Sequence, residues 1–338
     1  MYTRRSVRWS IVAQFAWRIL LQTTLWSSFV VGLFIYLKQH GINCSLPISP
    51  LGTIGVAVAF YVGFKNSQSY DRMWEARKVW GGIVNVSRSW ANQVLTFISS
   101  HHADGKADDE TVKAVQQRMI YRHLGWINVL RFQLRRKQPW SFVPKGSARK
   151  FQQETDVEAM KAQCNELQTP EEKQVVCSQA NAATQLLRWQ SKQLQEVVEK
   201  QRLTEEFRLM GMMELITEMY ALQGKCERIK NTPFPRQYAF FSGVFVWIFM
   251  ALLPFGIVGE MAERGPYLIW LTVPMSVLIS WIFWTMEVVG DSSEDPFENF
   301  INDVPLTALC RTIEIDLRQM LGESDTPPPL TPVDDVLM

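Results

Sequence analysis

The sequence predicts an all-α polytopic membrane protein with four transmembrane helices and a helical region outside the bilayer. Three observations carry this. Four uncharged apolar runs are long enough, or nearly so, to cross a hydrocarbon core of about 30 Å at 1.5 Å per residue. The remainder is rich in Lys, Arg, Glu and Gln at helical spacing, and strand signals are nearly missing. The mean hydropathy of −0.06 conceals this division, because oily and wet halves cancel. Among 338 residues, 13 Trp and 19 Phe gather largely in or beside the apolar runs, as membrane interfaces favour.

The first run, "ILLQTTLWSSFVVGLFIYL" (Ile19 to Leu37), follows Arg4, Arg5, Arg8 and Arg18. No small-residue cleavage site follows it and it is longer than a signal-peptide core, so it reads as a retained span. The second begins near Leu46, runs through "LGTIGVAVAFYVGF" and turns charged at Lys65 without a break. A helix that changes character along its length rather than around its circumference is one that leaves a membrane. The third is Tyr238 to Val258 and the fourth Pro266 to Met286, with Pro254 and Pro274 inside them. Neighbouring helices can satisfy the carbonyls that such prolines free.

Basic residues near the span ends fall on one side: Arg4, Arg5, Arg8, Lys65, Arg72, Arg77, Lys78, Arg228, Lys230 and Arg236, against Lys38 and Arg264 on the other. That asymmetry places both termini and the long middle segment in the cytoplasm. The chain then divides into 1–80 with the first two spans, a cytosolic helical domain over 81–237, the last two spans over 238–290, and an acidic segment, helix and Pro-rich tail over 291–338.

Within the middle segment, Asp109 to Arg136 reads as a helix whose Val112, Val115, Met119, His123, Ile127 and Leu130 form one stripe. Thr169, Pro170 and Glu172 form a capping box that opens a helix running to Lys200. Further helices span Thr204 to Ile229 and Leu306 to Leu321. Gln138 to Asp156 reads as a loop, and the tail "ESDTPPPLTPVDDVLM" as disordered.

The function classes narrow by exclusion. A net charge of +2 argues against a nucleic-acid partner. No dinucleotide, phosphate-loop, zinc-protease or hydrolase motif occurs, so an enzyme is not expected. The five Cys form no C-x-x-C pair, and Cys164 and Cys177 read as reduced thiols. His101 and His102, near Asp104, Asp108 and Asp109, read as a solvated loop, and His123 as a packing residue.

Two patterns ask for more. In the second span Gly55, Ala59 and Gly63 repeat every fourth residue as a helix-packing seam, with Val56, Phe60 and Phe64 beside them. Taken alone, the second stripe reads as lipid-facing or core. After the fourth span, "GDSSEDPFENFINDV" collects Asp291, Glu294, Asp295, Glu298 and Asp303, a weak candidate for divalent cations without an EF-hand's glycine or spacing.

The run "FKNSQSYDRMWEARKVWG" resembles the bacterial bestrophin-like signature, in which an apolar second span ends in F-R-N before a Tyr-x-Arg step and E-x-R-x-x-W-G. "CERIKNTPFP" (Cys226 to Pro235) and "EDPFENFINDVPLTALCRTIE" (Glu294 to Glu314) are similar to the family's other two landmarks. Lys65 stands where Arg is more usual and keeps the charge.

The resemblance implies a homopentameric channel for small monovalent ions in a bacterial inner membrane, its axial pore lined by the second span. Carried over by position, Val56, Phe60 and Phe64 form a hydrophobic neck and Met210 a cytosolic constriction. Tyr70, Trp74 and Trp80 would anchor that passage at the interface and in packing, with Asp71, Arg72, Glu75 and Arg77 in pairs between subunits. In animal members the acidic stretch helps form a calcium clasp. Here Ser292, Ser293 and Pro296 interrupt it, which leaves Asp295 and Asp303 as a weak divalent-cation site and no other cofactor. The sign of the permeant ion, chloride or sodium and potassium, is left open, as is a non-conducting scaffold whose cytosolic helices bind a partner.

Overall fold

The computed structural model describes residues 1–100, 108–139 and 169–338. The expectations for His101, His102, Asp104, Cys164 and nearly all of the loop after Gln138 lie outside those residues. Helices α1 (Trp9–Gln39), α2 (Ile48–Phe97), α3 (Asp109–Leu134), α4 (Pro170–Ser178), α5 (Ala182–Glu199), α6 (Glu206–Asn231), α7 (Arg236–Arg264), α8 (Thr272–Ser293) and α9 (Leu306–Met320) follow in order, with a short 3₁₀ turn at Leu268–Leu271 before α8. No strand occurs among the described residues. Four helical segments are long and apolar enough to cross a membrane: α1, α2, α7 and the turn with α8.

The 50 residues of α2 make a rod of about 75 Å, more than twice a bilayer's apolar thickness. Its first part packs on α7 and α8, and its second on α6 and α9. One helix therefore belongs to both halves of the molecule. Helix α1 packs chiefly on α8 and closes with a Schellman turn, in which Ile42 N–H reaches Leu37 O and Gly41 N–H reaches Lys38 O. Gly41 takes φ 75° there, a left-handed conformation that glycine adopts without cost.

Apolar side chains gain nothing by leaving lipid for protein, so the spanning helices rely on close approach. Gly55 meets the Phe249 ring, and Gly256 meets Leu51. Val58, Val62, Val246 and Leu253 complete that contact. Pro254 leaves the Met250 carbonyl without its helical N–H, and the neighbouring Ala251 carbonyl accepts from the Trp26 indole at 3.0 Å. The expected small-residue seam holds at Gly55 and fails at Gly63, whose surroundings are open. The reason is rotation: a four-residue step overshoots a turn by about 40°, so two steps carry the stripe about 80° away from the contact.

The second core is a water-driven one. Trp80, Trp90 and Trp126 are fully buried, with Ile83, Leu124 and Ile127 among them, each aliphatic side chain contributing about 1.5–3 kcal/mol. Of the three expected anchors, Trp80 lies in this core, whereas Tyr70 and Trp74 stay exposed and stack on each other. Helix α3 is buried on every face from Arg122 to Arg131, because α2, α5, α6 and α9 surround it. The single stripe expected for it describes only its first half.

Two other expectations change. The capping box forms, with Thr169 N–H on Glu172 Oε2 at 2.9 Å, but the helix stops at Ser178 and a new one starts after Asn181. The Asn181 side chain accepts from Thr184 N–H and so offers the backbone a competing start. The Pro-rich tail is ordered: Thr3 N–H donates to Asp335 O, Ala308 N–H to Met338 O, and Arg4 and Arg8 pair with Asp335.

Candidate ion pathway

Helix α2 turns Gly55, Val58, Val62, Lys65 and Ser69 toward the other spans. Val56, Phe60 and Phe64 face the opposite way, with 73%, 79% and 48% of their surface exposed. Phe64 is the least open because it leans on Tyr238, ring centroids 6.3 Å apart. The same outward stripe continues through Ser67, Tyr70, Trp74, Lys78, Gly81 and Asn85. A single unpartnered face therefore runs along the rod, apolar in the span and polar beyond it.

Where the stripe changes character, the hidden face carries a charge. Lys65 is 1% exposed, and its Nζ donates to Glu287 Oε1 at 2.6 Å and Asp291 Oδ1 at 2.5 Å on α8. Ser242 of α7 donates to the second Glu287 oxygen at 2.5 Å. Gly290 lies beside this cluster, and a Cβ there would collide with the Asn66 amide oxygen. Three spans meet at one ionic knot. Glu287 and Ser242 were not singled out in the sequence. The available signal was a lone Glu near the end of the fourth span, at the depth where Lys65 ends the second.

Two turns further along α2, Arg72 donates from Nε to Glu294 O, from Nη1 to Thr232 O and from Nη2 to Ile229 O, at 2.9–3.0 Å. The last two carbonyls belong to the C-terminal end of α6, where backbone acceptors lack helical partners and the helix dipole favours a cation. Glu75 pairs with Arg228. The pairs expected between subunits at Arg72 and Glu75 are thus made inside one chain, because α6 ends alongside them.

The acidic stretch folds into a tight turn with its carboxylates pointing inward. Glu298 meets Lys230 at 2.5 Å and Glu294 meets Arg236 at 3.3 Å. Asp303 Oδ2 accepts from Phe300 N–H at 3.0 Å, and the Asn299 side chain, at φ 69°, bonds Arg135. Burial raises the Glu294 and Asp295 carboxyls above their ordinary range and pushes Asp303 up to about 8. Among the described residues no three His, Cys, Asp or Glu side chains are grouped to hold a metal ion. Glu294, Glu298 and Asp303 already face cations or a backbone N–H group, so these three are not arranged as the six to eight oxygens that calcium takes.

Met210 lies in the first turns of α6, 66% exposed beside Phe207 at 85%. Like the α2 stripe, it points away from its own chain. His123 is a packing residue as expected: its Nε2 lies 2.8 Å from Ser87 Oγ, it sits among Trp90 and Trp126, and burial lowers its pKa to about 3.

A family model described as Bacterial/Fungal Bestrophin protein matches residues 3–319. The chain is 29% identical over 336 residues to the voltage-dependent anion channel-forming protein YneE of Escherichia coli, covering 98% of this chain and 95% of that one. It is 29% identical to a voltage-dependent anion channel-forming protein of Ralstonia nicotianae, over 87% of this chain and 84% of the other. Among solved structures, it is similar to the crystal structure of a bacterial bestrophin homologue from Klebsiella pneumoniae, with a TM-score of 0.73, 25% identity, and coverage of 91% and 98%.

Two outcomes follow from this geometry. Replacing Lys65 with Met strands two carboxylates and should lower stability by about 3–5 kcal/mol, whereas Lys65→Arg keeps the charge and should fold. Thermal melting of the detergent-solubilised protein measures both, and a Lys65→Met variant as stable as the parent would remove the knot's structural role. For Asp303, the folded pKa lies above the unfolded value of 3.8. Its contribution is complete below about pH 4 and is lost as pH rises through about 8. Asp303→Asn should therefore lose less Tm than the parent between about pH 5 and 8, and equal slopes would count against a buried protonated carboxyl.

Proposed function

The chain belongs to the bacterial and fungal bestrophin family, and on that premise we propose that it is a homopentameric channel for small monovalent ions. It is a channel and not an enzyme, and relatives named as anion channel-forming proteins support ion conduction. The observation that carries the pore assignment is the outward face of α2, where Val56, Phe60 and Phe64 stay open to the surroundings while the opposite face is buried.

Five copies of that face around one axis would stack three apolar rings about 6 Å apart. An ion entering them loses hydration and gains no polar ligand. The neck is then a barrier of dryness rather than a filter of charge. Beyond it, the polar stripe of α2 and the exposed start of α6 line a vestibule built mainly from residues 81–237, with Met210 as its narrow point. The acidic turn over 294–304 serves there as a latch, because its carboxylates clamp α6 and α7 to the end of α8. The first two spans over 1–80 and the last two over 238–290 hold the pore in the inner membrane, and 291–338 completes the helical body.

Replacing Val56, Phe60 and Phe64 together with Ala should wet the neck and raise liposome flux several-fold, while the purified particle keeps a mass near five times 39.1 kDa. A pentamer whose triple variant conducts like the parent removes these residues from the pore. A stable monomer or dimer favours the scaffold reading. Reversal potential in planar bilayers under asymmetric salt assigns the sign of the permeant ion.

Both termini lie in the cytoplasm in this reading, by the distribution of basic residues. Cys226 is unsuited to test it, being fully buried with its thiol pKa raised by burial. With Cys44 changed to Ser, a membrane-impermeant thiol reagent on spheroplasts should label a Glu263→Cys variant and not a Lys225→Cys variant. The reverse pattern inverts the topology.

A further inference from the structure

The end of the spanning bundle remote from Lys65 holds a cavity of about 300 Å³. Its walls come from the last turns of α1, the connection to α2 and the last turns of α7, and include Phe34, Lys38, Ile42, Asn43, Gly259 and Glu263. The apolar run of α1 ends at Leu37 and that of α7 at Val258. The cavity thus lies at the depth where hydrocarbon gives way to headgroups, whichever side of the membrane that is.

Its polar groups are of opposite sign and unspent. Lys38 and Glu263 both face the cavity, yet among the described residues neither makes an ion pair with the other or with a third group. The Lys38 ammonium rests 5.6 Å from the Phe34 ring centroid, which holds it at the wall. The Asn43 Oδ1 accepts from both the N–H and the hydroxyl of Ser45, leaving its NH₂ to donate outward. A cation, an amide donor and a carboxylate lining one cavity are complementary to one molecule that carries an anionic group and an ammonium.

The walls are preformed. The Schellman turn at Gly41 fixes Lys38 and Ile42 relative to each other. Leu46 N–H donates to Phe255 O at 3.0 Å, and Ser45 packs so closely on Gly259 that a Cβ there would approach within 2.8 Å. A site that needs no ordering on binding retains more of its contact energy.

We propose that this cavity binds the headgroup of a zwitterionic phospholipid ending in a primary ammonium, of the phosphatidylethanolamine class. The phosphate meets Lys38 and the Asn43 amide, and the ammonium donates to Glu263. A quaternary ammonium has no N–H to give the carboxylate and is held by cages of several aromatic rings. Among the described residues Phe34 is the one aromatic wall, and it already lies under Lys38. An anionic headgroup without an amine would leave Glu263 facing like charge.

Native mass spectrometry of the full-length detergent-solubilised protein, offered phosphatidylethanolamine, phosphatidylcholine and phosphatidylglycerol with identical acyl chains, tests this. The parent should retain the first at least about tenfold over the others, the scale of one charge-assisted hydrogen bond. Lys38→Met keeps the aliphatic stem and should lower retention of all three lipids, which share the phosphate, whereas Glu263→Gln keeps the shape and should bring the three toward parity, each with the particle mass unchanged. Equal retention of all three lipids by the parent overturns the proposal, as does an undiminished preference in Glu263→Gln or undiminished retention in Lys38→Met. Displacement of the lipid by soluble phosphoethanolamine at matching concentration would assign the site to a free zwitterion instead.

Discussion

An ammonium group that is 1% exposed at the edge of a bilayer has to be matched by the helices around it, and Lys65 imposes that requirement on three spans at once. Removing an ion from water costs several kcal/mol even after relaxation, and only good geometry with saturated hydrogen bonds recovers it. Glu287 and Asp291 supply the charge, and Ser242 occupies a remaining lone pair. The match sets both the depth of α2 and its rotation about its own axis. Phe64, one residue earlier and about 100° around the helix, is thereby turned outward together with Phe60 and Val56.

The constraint continues down the same rod. Arg72 gathers carbonyls from α6 and from the end of α8, and Lys230 and Arg236 draw the acidic turn inward. Pairs of this sort confer position more than net stability. Stability comes from elsewhere, chiefly from the tryptophan-rich core around α3, where apolar burial acts at full strength because the alternative is water.

The two halves of the molecule therefore cohere for different reasons while sharing α2. In the spans, small residues allow contact and a few polar groups choose the register. Outside them, burial does the work and the polar groups cap helix ends. A rod common to both passes a shift at one level to the other, since α2 carries neither a proline nor a break between Pro50 and Phe97.

Much of this was legible in the chain alone. Spans are read from run length because lipid demands it, the abrupt change at Lys65 marks where α2 leaves the membrane, and Thr169 with Glu172 announces a capped helix through local hydrogen bonding. Features of this type depend on neighbours within one or two turns. What the sequence could not settle were contacts between residues far apart in the chain: Lys65 with Glu287, Arg72 with the end of α6, the ordered tail against Thr3 and Ala308, and the opposite charges of Lys38 and Glu263 around one cavity. The azimuth of α2 belongs to the same group. A four-residue spacing places Gly55 and Gly63 on one nominal stripe, and only packing against Phe249, fixed by helices some 190 residues later in the sequence, decides that the first is buried and the second open.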